Sequence, residues 1–287
     1  SSALYGAGGT NGTLLITSKS PFTYQGISAQ YKTGANHVDE AQRSVSPYQD
    51  MSLRYAKAFN NKFAFKVNFS YLTANDWQGN DVSNYDRLNG PEKAGTRETD
   101  PNYDGVNIYG DETNANMADV ARSVIAQGTA AYVAQYGAAT GGGVPTQTQI
   151  NQFLGTNPQT MPFFLGLNTP AIAAGLNRTV SRTGYAENVL VDYDTKSLKA
   201  SGALHYKLNE NLEAIAQANW GSGRSVYTGS DRYSLKDFNL GQYKLELRGS
   251  NFFVRGYTTQ ERSGDAYNAT ALASLMNEAY KVSTTWF

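Results

Sequence analysis

KFAFKVNFSYL, residues 62–72, is the stretch whose reading decides the fold. Phe63, Phe65, Val67, Phe69 and Tyr71 fall on one side of an extended chain, and Lys62, Ala64, Lys66, Asn68 and Ser70 on the other. Alternation with a period of two is the pattern of a strand with one apolar and one hydrated face. The segment before it repeats the pattern, with Leu53, Tyr55 and Phe59 opposed to Ser52, Arg54 and Ala58. Only Asn60 and Asn61 separate the two, which predicts a tight hairpin.

Outward from there, the pattern returns after residue 185. Leu198, Ala200, Gly202, Leu204, Tyr206 and Leu208 alternate with Lys199, Ser201, Ala203, His205 and Lys207. A turn at 209–211 leads to Leu212, Ala214, Ala216, Ala218 and Trp220 on an apolar face. A third hairpin turns at 249–251, with Tyr243, Leu245 and Leu247 set against Lys244, Glu246 and Arg248. Seven strands are expected, at 24–33, 49–59, 62–75, 186–208, 212–224, 234–248 and 252–262. Their connections sort by length. Those at 60–61, 209–211 and 249–251 are minimal, whereas 34–48, 76–185, about 225–233 and everything after about 262 are long. Short turns at one end and long loops at the other are the layout of an outer-membrane barrel. A transmembrane strand needs only about 9–11 residues, and only alternate ones must be apolar.

Composition agrees with an unusual class. Tyr numbers 20, Phe 12 and Gly 28, while charged residues make up 17%, below the quarter or so of an ordinary soluble domain. The formal net charge is zero, so no bulk electrostatic pull toward nucleic acid exists, and no nucleic-acid partner is expected. Cysteine is absent, which excludes disulfides and thiolate chemistry from the chain, and the two histidines, His37 and His205, stand far apart. No catalytic residue, metal site or cofactor is assigned. Asp111-Glu112 and Asp192/Asp194 are carboxylate pairs with nothing nearby in sequence to orient them as acid and base. AGGTNGT (7–13) lacks both the lysine of a phosphate-binding P-loop and the GxGxxG spacing.

The phrase ALYGAGGTNGTLLITSKSP (3–21) resembles the end of the plug domain in TonB-dependent outer-membrane receptors, especially those of Bacteroidota. Tyr5-Gly6, Asn11-Gly12 and the strand 13–17 carry the resemblance. The stretches GYAENVLVDYDTKSLKASGALHYKL and NFFVRGYTTQERSGDAY look like barrel segments of the same group. The resemblance implies an all-β chain: the end of a plug at 1–21, then the N-terminal part of an antiparallel transmembrane barrel at 22–287, with an extracellular insertion at 76–185. It implies about 22 strands in the parent barrel, of which about seven are here. It also implies location in the bacterial outer membrane and energised uptake of a glycan, peptide or metal chelate. The expected partners are the rest of the same barrel and plug, TonB through a segment that this chain lacks, and a surface lipoprotein lid or other outer-membrane protein. A receptor-like barrel acting as a scaffold in a complex and a soluble all-β binding module are the alternatives.

Candidate site residues follow from the faces. Arg54, Lys62, Lys66, His205, Lys207, Glu213, Arg248 and Arg255 are expected to face the lumen, where they are either simply hydrated or touch the plug. Tyr55, Tyr71, Tyr206, Trp220 and Tyr243 suit the aromatic girdles at the membrane interfaces. In the long loop, Asp76, Trp77, Asp81, Tyr85 and Asp86 are candidate contacts for an external ligand, although their spacing fits no EF-hand. Two helices are expected in that loop, at about 116–127 and 146–154.

Overall fold

The computed structural model describes residues 18–87 and 89–287, in two compact units. The plug-like residues Tyr5, Gly6, Asn11 and Gly12 and the strand expected at 13–17 lie outside the described residues. The first unit combines 18–76, 193–225 and 235–266; the second combines 77–192, 226–234 and 267–287.

The long strands are β1 (Gly26–Asn36), β2 (Ser46–Phe59), β3 (Phe63–Asn75), β8 (Asp194–Asn209), β9 (Leu212–Thr228), β10 (Arg232–Gly249) and β11 (Phe253–Arg262). They lie side by side in that order in one antiparallel sheet. The sheet is not closed among the described residues, and every residue of β11, at one edge, is exposed. Directly opposed residues share a face, so the register can be read across strands. One row runs Ala29, Leu53, Phe69, Ala200, Trp220, and its neighbour runs Ile27, Tyr55, Val67, Gly202, Ala218. Between them runs Ser28, Arg54, Asn68, Ser201, Asn219. The alternation in sequence thus becomes one continuous apolar face and one continuous polar face.

Their burial is the reverse of a water-soluble sheet. Val67, Phe69, Leu204, Tyr206 and Leu245 are exposed, the last by 68%, whereas Lys66, His205 and Glu246 on the polar face are buried at 5%, 6% and 4% exposure. A hollow of about 780 Å³ lies on the polar side, lined by Ser28, Arg54, Asn68, Ser201, Gln242 and Thr259 among others. Its lining draws on both edge strands, so the sheet curls around its polar face. β8, β9 and β10 are 16, 17 and 18 residues long. That is well beyond the ~9–11 needed to cross a bilayer.

The second unit departs from the expectation of an all-β chain: helix accounts for 26% of the structure against 43% strand. Its small ladders are β4 (Ile108–Tyr109) with β7 (Tyr185–Ala186) and β5 (Asn114–Asn116) with β6 (Thr179–Ser181), and β12 (Tyr267–Asn268) pairs with Tyr233 and Ser234. The helices are α1 (Met117–Thr140), α2 (Gln147–Thr156), α3 (Met161–Asn168), α4 (Pro170–Leu176), α5 (Glu187–Leu190), α6 (Ala269–Tyr280) and α7 (Ser283–Trp286). α1, at 24 residues, is about twice the expected length. Gly128 lowers helix propensity at the point where a reading by propensity ends it. In the fold that glycine is a contact site: a Cβ there would lie 2.5 Å from Thr160 Cγ2. α2 starts where expected because Thr146 and Gln149 form a capping box. The strand expected from 186 begins only at Asp194, since Glu187–Leu190 make a helical turn first. The connection expected at about 225–233 shrinks to 229–231 as both flanking strands run on, so length sorting fails there while 37–45 and 76–193 keep it.

At the first hairpin, Asn60 and Asn61 both have positive φ, 50° and 49°, and the Lys62 amide donates to the Phe59 carbonyl at 3.0 Å. Asparagine tolerates this region and β-branched residues do not. Asn61→Val should therefore cost about 1–2 kcal/mol, and Asn61→Gly should be nearly neutral. Denaturant unfolding of the two variants measures the difference; equal stability would remove the turn as the element that sets this register.

Candidate functional site

The polar face of the sheet is where the expected lumen residues can be located. Before β1 the chain turns at 21–24, with the Tyr24 amide donating to the Ser20 carbonyl at 2.9 Å, and lies on that face. Lys66 Nζ donates to Ser18 Oγ at 2.8 Å and to the Lys19 carbonyl at 2.9 Å. Arg54 donates to the Tyr24 carbonyl at 2.7 Å, and the Gln25 side chain accepts from the Ala58 amide at 2.9 Å. The Phe22 ring meets His205 edge-on at 6.3 Å between centroids, and Lys207 Nζ lies 4.4 Å from its centre. Four of the candidates, Arg54, Lys66, His205 and Lys207, thus grip one segment, 18–25. A buried lysine needs such partners, because an unpaired ammonium away from water is costly.

The other polar-face candidates make two clusters. His205 Nδ1 is 2.7 Å from Glu213 Oε1, while its Nε2 is buried and makes no hydrogen bond. Arg248 Nε and Arg255 Nε donate to the two oxygens of Glu246 at 2.8 and 2.7 Å, with Lys244 Nζ at 3.2 Å. Sequence reasoning singled out Arg248 and Arg255 but not Glu246, the carboxylate that gathers them. Its signal was present in YKLELRG, where it occupies the central polar position. Lys62 sits elsewhere: it is exposed in the hairpin turn, its ammonium 5.7 Å from the Tyr206 ring centre.

The five loop candidates do not converge on one point. Asp76 belongs to the sheet unit, where its carbonyl accepts from Arg43 at 2.8 Å and Ser225 Oγ lies 3.5 Å from its carboxylate. Trp77 stacks under the Arg232 guanidinium at 4.1 Å. Asp81 caps the Ser83 amide at 2.8 Å, and the Ser83 hydroxyl and amide hold its carboxyl below the usual range. Asp86 accepts from the Asn89 amide at 3.1 Å and from its side chain at 2.7 Å. Tyr85 pairs with Glu92 through the backbone. These side chains shape turns, the ordinary work of Asx residues in loops. Among the described residues no three His, Asp or Glu side chains come together as a metal-sized cluster.

What organises the second unit is a buried ion pair that the sequence did not disclose. Arg232 donates to both oxygens of Glu187 at 3.2 Å, to the Trp77 carbonyl at 3.0 Å and to Thr228 Oγ1 at 2.7 Å. Glu187 also accepts from the Tyr109 hydroxyl and the Gly79 amide, each at 2.8 Å. Burial, then the neighbouring carboxylate, pushes the Tyr109 phenol up. A second buried cation, Arg182, reaches Glu278 and Ser283 Oγ at 2.9 Å and the Asn277 carbonyl at 2.8 Å. Partners some 45 to 155 residues apart leave no local mark in the sequence.

Comparison with known proteins gives no match to any family model, any curated protein or any solved structure.

Lys66→Met should free the 18–25 segment, and limited trypsin digestion should cut after Lys19 several-fold faster than in the parent; an unchanged rate would mean that the other contacts suffice. In the second unit, Arg232→Met strands the buried Glu187 carboxylate, a loss of about 3–5 kcal/mol for a broken buried pair. Hydrogen exchange at the Gly79 amide should rise accordingly.

Proposed function

We propose that this chain is part of a TonB-dependent outer-membrane receptor, with the sheet forming one arc of a transmembrane barrel and 77–192 a folded region of its outer loops. In this reading the parent polypeptide takes up a nutrient (glycan, peptide or metal chelate) at the expense of energy relayed from the inner membrane. The observation that carries the reading is the inverted sheet. A continuous apolar face open to the outside marks an interaction surface, and here it backs a polar, curled face that holds the chain segment following a plug-like phrase. Strands are one of only two ways for a chain to cross lipid, and they do so in closed barrels, which agrees with an open sheet that needs further strands. The absence of a long apolar helix among the described residues does not bear on such a protein. A soluble module would have to cover this face with other protein.

The test uses the full parent polypeptide. Folded barrels that resist detergent migrate differently before and after boiling. Val67→Arg and Leu204→Arg place a charge on the apolar face, at about 2–4 kcal/mol each near the bilayer midplane, and should reduce the heat-sensitive folded species. Gln217→Arg on the polar face should leave it intact. A polypeptide that is soluble without detergent, or equal tolerance at all three positions, contradicts the barrel. For uptake, a strain lacking the gene should stop growing on one nutrient among these classes, and the wild type should lose the same growth when the proton-motive force is collapsed. Growth unchanged on all of them would separate the barrel from the transport role.

A further inference from the structure

The loop from Tyr103 to Glu112 in the second unit closes around a carboxyl group with too few partners. Asp111 is fully buried, at 0% exposure. One of its oxygens accepts from the Gly105 amide at 3.0 Å, and the other has no hydrogen-bond partner. The charged groups around it are mostly of its own sign. Asp104 and Glu112 are the neighbouring anions, and the Tyr103 phenol also feels its charge. The facing cation is Arg87, whose guanidinium is committed to Asp104 at 2.5 and 2.9 Å and to Glu112 at 3.4 Å. On the 181–187 side the backbone packs closely, a Cβ on Gly184 lying 3.1 Å from Asp111 Cγ; the charged groups there are engaged elsewhere, Arg182 with Glu278, Glu187 with Arg232, and Arg97 with Ser181 and Thr183.

A carboxylate in such a place loses hydration and gains only the Gly105 amide and its own backbone amide against two like charges, whereas the neutral acid loses far less. Burial accordingly pushes the carboxyl up to about 7; the Gly105 amide opposes the shift, and Glu112 and Asp104 add to it. The loop it anchors is a junction. The Gly110 carbonyl accepts from Asn277 Nδ2 of α6 at 3.0 Å, Glu112 lies 3.4 Å from the Thr270 hydroxyl, and Tyr109 holds Glu187.

We propose that Asp111 is a proton-operated latch: protonated, it keeps the 103–112 loop packed against α6 and Glu187, and ionised, it lets that junction open. This goes beyond the receptor reading and does not depend on it. The sign follows from linkage. The folded group holds its proton to a higher pH than the opened one, so opening releases a proton. The opening constant then rises about tenfold per pH unit from the usual aspartate range near 4 up to about 7, and levels off above.

The experiment is hydrogen exchange of residues 103–112 in the full-length protein at pH 5 and pH 8, corrected for intrinsic exchange rates, in wild type and Asp111→Asn. The expected result is a loss of protection on the order of a hundredfold at pH 8 in wild type and a nearly flat response in the variant. Equal pH dependence in both overturns the proposal. Should Asp111→Asn fail to fold, infrared spectra of wild type carrying carbon-13 aspartate replace it. A protonated aspartic acid band present at pH 5 and lost near pH 7 supports the latch; its absence at pH 5 overturns it.

Discussion

Lys66 is buried in a sheet whose phenylalanines face outward, and the rest of the structure follows from that inversion. The ammonium is held by Ser18 and Lys19, so the polar face must carry the incoming chain segment and cannot simply be turned to water. The opposite face is then left with Val67, Phe69, Leu204 and Leu245 in the open. Burying one such side chain is worth roughly 1.5–3 kcal/mol. Leaving a continuous sheet of them in water forgoes that gain many times over. An apolar surrounding reverses the sign, and the polar face is then where Arg54, His205 and Glu246 stay solvated or paired.

The two units meet the same constraint in different ways. The sheet unit satisfies its backbone through long antiparallel ladders and assigns polarity by face. The second unit has short ladders and, apart from α1, short helices, and it secures loops by ion pairs: Arg232 with Glu187, both buried, and the buried Arg182 with the more exposed Glu278. Such pairs repay their desolvation only with full hydrogen bonding; the Trp77 carbonyl and the Thr228 hydroxyl complete it around Arg232, while Arg182 keeps a buried Nε without a partner. Asp111 departs from that rule as well, a buried carboxyl with one oxygen left without a partner.

How much of this was legible in the sequence divides along the same line. Strand periodicity is a local property, so KFAFKVNFSYL fixed β3 to within a residue and its faces entirely. The turn asparagines marked the first hairpin for the same reason. The polar-face candidates Arg54, Lys66, His205 and Lys207 were readable as a set because alternation assigns faces, but their shared partner at 18–25 was not. Long-range pairing in the second unit was invisible: nothing near Glu187 points to Arg232, and Asp81 and Asp86 looked like ligand groups because turn-capping and ligand-binding aspartates are the same residues in sequence. Gly128 misled in the same manner, a helix breaker by propensity and a close-packing site in the fold.

The central claim is that the apolar face meets lipid and the polar face does not. Because this chain contains no cysteine, single cysteines at Leu204 and at Gln217 can carry a fluorescent probe in the full-length protein, reconstituted in vesicles. The account predicts quenching at 204 by a quencher confined to the acyl chains, and at 217 only by one dissolved in water. Aqueous quenching at both positions, or failure of the protein to enter vesicles at all, would contradict it.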